Sequence, residues 1–211
     1  MRFALALAAG LVPVALASSA VGHGGVYHVT PAEAAAHASA EAPATGPALP
    51  FPVEIRPHFR LIDQTGQAVT EADFAGRPMA IFFGYANCEA ICSVALPALA
   101  AALDEFGPDG DAIAPLMITV DPEHDTPEAM ARKLPDYHPR LIGLTGSEAA
   151  LAEARAVFQV EAKKVAELPD GSPIYSHGSF IYLVGRDGLV KSVLPPILSA
   201  ARIAELMRKH L

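Results

Sequence analysis

"PMAIFFGYANCEAICSVALPALAAALDEF", residues 78–106, passes from an unbroken apolar run into a segment of helical composition. The run from Pro78 to Tyr85 lacks the alternation of a half-exposed strand, so it predicts a strand buried on both faces of a sheet. From Cys88 to Phe106 the apolar residues recur at helical spacing. Pro97 is expected to kink that helix because it donates no backbone hydrogen bond. The chain's two cysteines, Cys88 and Cys92, thus fall where a central strand hands over to a helix.

Upstream, "VEIRPHFRLIDQTGQAVTEADFAG" predicts two short strands around the turn Asp63-Gln64-Thr65-Gly66. Downstream, "IAPLMITV" reads as a second buried strand. It leads into "DPEHDTPEAMARKL", where Thr126 as N-cap, Pro127 at the first helical position and Glu128 mark a helix start. "RLIGLTG" and a helix from Ser147 to about Phe158 repeat the alternation. The stretch after Val160 predicts short strands separated by turns at Pro169-Asp170-Gly171 and Arg186-Asp187-Gly188, and a helix from Leu198 to His210 closes the chain. Alternation of this kind followed by hairpins implies an α/β layered domain with a mixed sheet.

The 211 residues are 52% hydrophobic and 18% charged, enough for one substantial core, which we assign to residues 51–211. Residues 23–50, rich in Ala, Pro, Glu and His, bury little surface and read as a flexible linker. In residues 1–22, Arg2 precedes an uncharged Ala/Leu/Val run, with a small-x-small site at Ala15-Leu16-Ala17. This is the pattern of an export signal, and the run is also long enough for an uncleaved membrane anchor. No Arg or Lys occurs between Arg2 and Arg56, unlike a mitochondrial presequence, so a bacterial export route and a periplasmic location are expected. Formal net charge is −8 and the basic residues are scattered, which argues against nucleic acid as a partner.

The cysteine pair admits three readings: a structural disulfide, a redox-active dithiol or half of a soft-metal site. On one helix, residues i and i+4 hold their Cβ atoms about 5 to 6 Å apart, whereas a relaxed disulfide wants about 3.5 to 4.5 Å. Two thiolates bridged by a metal at roughly 2.3 Å per bond tolerate the wider spacing. A helix N-terminus favours the thiolate in either functional role, and a loop this short makes a weak staple. Two sulfurs leave most metal sites open, and the best third ligand is His177 in "YSHGSF", just ahead of the buried-type strand "FIYLV". Asp121, Glu123, His124 and Asp125 suggest a hard-metal cluster, but a capped strand-to-helix turn accounts for them better. His23, His28 and His37 in the linker form no preset site.

Together "FRLIDQTGQAVTEADFAGRPMAIFFGYANCEAIC", "MITVDPEHDTPEAM", "LIGLTG" and "YSHGSFIYLV" resemble the SCO/SenC family of copper-binding, thioredoxin-like proteins, in order from Phe59 to the C-terminus. The resemblance implies a thioredoxin-like mixed sheet flanked by helices, with a β-hairpin insertion. It also implies copper held by Cys88, Cys92 and His177, and copper delivery to the binuclear site of cytochrome c oxidase. Two thiolates and an imidazole suit Cu(I), and with added ligands Cu(II), once the pair is reduced. Expected partners are the copper-site subunit of the oxidase and, upstream, a periplasmic copper chaperone or thiol reductase.

Such a metallochaperone needs no chemical turnover. The enzymatic alternative is a thiol–disulfide oxidoreductase in which Cys88 and Cys92 reduce a client's cysteine pair. A general reductase would more naturally carry CxxC, and peroxiredoxin chemistry wants Thr where Tyr85 stands. Two departures from the family pattern bear on the site. Glu89 and Ser93 stand where Pro usually follows each cysteine, and Ser176 replaces the usual Asp before the histidine, removing one group that would orient the ring.

Overall fold

The computed structural model describes residues 54–86, 92–107, 112–169, 171–195 and 197–210, with backbone alone at Cys92, Ser93 and His210. The expected export signal, the linker with its three histidines, and Cys88 lie outside these residues.

The predicted first hairpin forms from β1 (Arg60–Asp63) and β2 (Ala68–Thr70), paired antiparallel with Leu61 opposite Val69. Its turn is held by the Asp63 carboxylate. Oδ1 accepts the N–H groups of Thr65 and Gln67 at 2.8 and 3.0 Å and the Thr65 hydroxyl at 2.7 Å. Gly66 supplies the positive φ, +84°, that closes the loop.

The apolar run becomes β3 (Met79–Gly84), with every residue buried. It lies parallel to β4 (Ala114–Thr119), from Met79 opposite Ala114 to Gly84 opposite Thr119, and β4 is likewise buried throughout. β5 (Ile142–Thr145) pairs parallel to β4 and antiparallel to β1. On the other side β8 (Ile181–Val184) runs antiparallel to β3, and β9 (Val190–Leu194) antiparallel to β8. The seven-stranded order is β2-β1-β5-β4-β3-β8-β9, the mixed sheet predicted. β6 (Ala162–Glu167) and β7 (Pro173–His177) form a separate two-stranded sheet, the expected hairpin insertion.

Among the described residues four α-helices flank the sheet: α1 (Cys92–Phe106), α2 (Pro127–Lys133), α3 (Glu148–Val157) and α4 (Ala200–His210). α1 runs through the exposed Pro97 and packs against α4, while α2 packs on β5 and α3 on β1. The expected caps form, for Thr126 Oγ1 accepts from Ala129 N at 3.2 Å and Ser147 Oγ from Ala150 N at 3.3 Å. α2 approaches β5 so closely that a Cβ at Gly143 would stand 2.7 Å from Met130 Sδ. Burial of Phe59, Phe82, Phe83, Phe158, Leu96, Leu99 and Leu103 drives the layers together, at about 1.5 to 3 kcal/mol for each such side chain. Among the described residues no helix is long and apolar enough to cross a membrane.

Candidate metal centre

β3 aims its C-terminal end at the cysteine segment. Past Gly84 the chain is held by neighbours on both sides: the Gly84 carbonyl accepts Val120 N–H at 2.8 Å, and the Ala86 carbonyl accepts the Tyr137 hydroxyl at 3.2 Å. The Ala86 N–H donates to both oxygens of Asp125, at 3.2 and 3.0 Å. Two residues beyond Ala86 stands Cys88, which lies outside the described residues, and Cys92 is the first described residue of α1. The sulfur positions, and the shared helical face expected for the pair, are therefore not described.

His177 is described, and it sits beside that strand end. Sequence reasoning places it in a loop at the start of a strand; instead it is the last residue of β7, opposite Ala162 and four residues before β8. β7 alternates faces, so Tyr175 and His177 share one. Both rings reach Tyr85, with centroids 5.5 and 6.1 Å away, and His177 also meets Phe82 edge-on at 6.4 Å. Nδ1 of His177 donates to the Gly178 carbonyl at 3.1 Å. A carbonyl only accepts, so in the neutral ring the proton resides on Nδ1 and the lone pair on Nε2. That carbonyl supplies the orienting contact that Ser176, in place of an acid, does not.

The segment after β4 is more than a capped turn. Thr126 caps α2, but Asp121 and Asp125 are only 2% and 1% exposed, and each has protein donors. Asp125 Oδ2 also accepts the Thr119 hydroxyl at 2.7 Å, and Thr119 Oγ1 accepts Asp121 N–H at 2.9 Å. Asp121 accepts the Tyr175 hydroxyl at 3.3 Å and pairs with Nδ1 of His124 at 2.9 Å. Burial pushes the Asp125 carboxyl up to about 6, against the pull of its hydrogen bonds from Thr119 and Ala86. Burial and the neighbouring Asp121 charge push the Tyr175 phenol up to about 12, and the hydrogen bond to Asp121 raises His124. Asp121 and Asp125 thus tie elements together, with the exposed His124 paired to Asp121 and Glu123 exposed, and no group of three His, Cys, Asp or Glu among the described residues is placed to hold a metal. Only the clustering of acids after a wholly apolar strand hinted at this tie.

The SCO1/SenC family pattern matches residues 48–211, the whole of the sheet and helices just described. The chain belongs to the SCO1/SenC family. A mitochondrial SCO2 homologue of Danio rerio is 39% identical over 155 residues, 72% of this chain and 56% of that protein, so the chain spans about half the length of that relative. The structure of Bradyrhizobium japonicum ScoI, which holds bound copper, aligns at 36% identity with a TM-score of 0.68, covering 74% of this chain and 99% of that one. BsSco, a member of the Sco family of cytochrome c oxidase assembly proteins in which a disulfide switch is identified, aligns at 22% identity and a TM-score of 0.60, covering 75% of this chain and 95% of that one. The SCO1/SenC chain is thus thioredoxin-like, as the family resemblance implies, with β6–β7 as the inserted hairpin.

Proposed function

We propose that this SCO1/SenC chain binds copper through Cys88, Cys92 and His177 and passes it to the copper-site subunit of cytochrome c oxidase during assembly. The observation that carries this reading is the position of His177, whose ring lies against Tyr85, three residues before Cys88. Three residues of chain reach at most about 11 Å, which leaves the first cysteine able to approach the imidazole and supports assigning both to one site. The donor set suits the cargo. Two thiolates and the Nε2 lone pair of a ring oriented by Gly178 make a soft, low-coordinate site for Cu(I), and copper is what the ScoI relative holds. Transfer then proceeds by ligand exchange, with the cysteines reduced beforehand. The apolar run in residues 1–22 supports an exported, periplasmic protein, with that segment either a cleaved signal or an inner-membrane anchor.

Anaerobic titration of the reduced chain with Cu(I) tests the ligand set. One-to-one binding is expected for the parent chain and its loss in Cys88→Ser and Cys92→Ser, with clear weakening in His177→Ala. Tight binding that survives all three substitutions refutes the site.

A thiol–disulfide role is the second reading, and the spacing of the chain's two cysteines, four residues apart, favours it. Efficient reduction of a client disulfide by the His177→Ala chain, with copper still bound, would put this reading first.

A further inference from the structure

The loop Asp121–Asp125 touches both halves of the proposed site, and each contact falls at the same distance from a ligand. Asp125 grips the backbone N–H of Ala86, two residues before Cys88. Asp121 accepts the hydroxyl of Tyr175, two residues before His177. Thr119 joins the carboxylates, donating to Asp125 and accepting from the Asp121 N–H. The hairpin that carries His177 is not laddered into the seven-stranded sheet, so side chains must set its position against β3. Two aspartates at the surface of a turn would do nothing of the kind, but these are buried and fully engaged.

We propose that the Asp121–Asp125 loop is a strut that fixes the separation between the cysteine segment and the histidine hairpin, making Asp125, Asp121 and Tyr175 positioning residues for copper. The inference rests on the copper reading above. None of the three touches the metal. Each acts through a neighbour: Asp125 through the Ala86 backbone, and Asp121 through the Tyr175 hydroxyl, with the Tyr175 ring against Tyr85. Supports of this kind change metal affinity by about 10- to 100-fold when removed.

The test uses the full chain, reduced and anaerobic, with Cu(I) affinity read by competition against a chromophoric chelator and the Cu(II) form read by electron paramagnetic resonance. Tyr175→Phe keeps the ring packing and removes one hydroxyl, so it should fold as the parent does. Asp125→Ala removes the grip on Ala86, and Asp125→Asn keeps an amide oxygen able to accept from both Ala86 and Thr119. Tyr175→Phe and Asp125→Ala are expected to bind Cu(I) about tenfold or more weakly and to shift the Cu(II) hyperfine pattern, while Asp125→Asn recovers most of the affinity. Parent-like affinity and spectra in Tyr175→Phe overturn the strut, and so does an Asn variant as weak as the Ala variant. Its failure is separable from failure of the ligand set. In the first case Cys88→Ser would still lose copper and His177→Ala would still bind it clearly more weakly than the parent, whereas parent-like binding by both removes the site and the strut together.

Discussion

Asp125 carries one of the two large electrostatic shifts among the described residues, and it can be followed by pH. Its carboxyl is raised from the ordinary 3.8 to about 6, chiefly by burial. Between those values the folded chain keeps a proton that the unfolded chain releases. The contribution of Asp125 to stability is therefore complete below about pH 3.8 and is lost as pH rises through 6, by an amount on the order of 3 kcal/mol. Asp125→Asn cannot titrate. Urea denaturation of metal-free parent and variant between pH 4 and 7 should show the parent losing stability relative to the variant across that window, and parallel profiles would remove Asp125 as the cause. The sequence did not disclose this. "DPEHDTP" reads as a capped turn, and Thr126 does cap α2. But Ala86 lies 39 residues from Asp125, and Tyr175 lies 54 from Asp121. Contacts across such separations leave no periodic trace.

Elements were far more legible than these contacts, because each has a local cause. β3 and β4 were readable as central strands from uninterrupted apolar runs, and both prove buried along their whole length. The turns at Gly66, Gly171 and Gly188 were readable from glycines now found at φ +84°, +87° and +74°. Where His177 falls was less so. "YSHGSF" looks like a loop, yet pairing with Ala162 makes it the end of β7. Pro97 offers a test at this scale. α1 continues through it, and its ring is exposed, so the helix lacks one i→i−4 hydrogen bond with no packing in return. Pro97→Ala restores a donor in the second turn and should stabilise the chain by about 1 to 2 kcal/mol, less than the full cost of an interior proline because the unfolded chain also gains freedom. A lower melting temperature in the variant would mean that the irregularity is required by the packing of α1 on α4.

At the scale of the whole molecule, the proposed ligands come from two pieces distant in sequence: residues 88–92, which follow β3 in the chain, and the detached hairpin β6–β7. A ligand that joins pieces distant in sequence binds the folded chain and not the unfolded one, so copper should stabilise the whole domain by mass action. With free Cu(I) buffered at about 100 times the dissociation constant, the gain is about 2.7 kcal/mol, which for a domain near 150 residues raises the melting temperature by roughly 5 to 10 °C. Reduction matters to the sign. Oxidised cysteines have no thiolates to offer, so the same buffered copper should leave the disulfide form's melting temperature unchanged. The hairpin matters to the size, because His177→Ala keeps two sulfurs on adjoining chain and loses the only proposed ligand from β7. Its copper-induced shift should fall well below that of the parent at equal total copper. Calorimetric melting of reduced, oxidised and His177→Ala chains, with and without copper, gives three shifts whose order is fixed in advance: reduced parent largest, His177→Ala smaller, oxidised parent near zero. Equal shifts in the reduced and oxidised chains would place copper away from the cysteines, and equal shifts in the parent and His177→Ala would release the hairpin from the site.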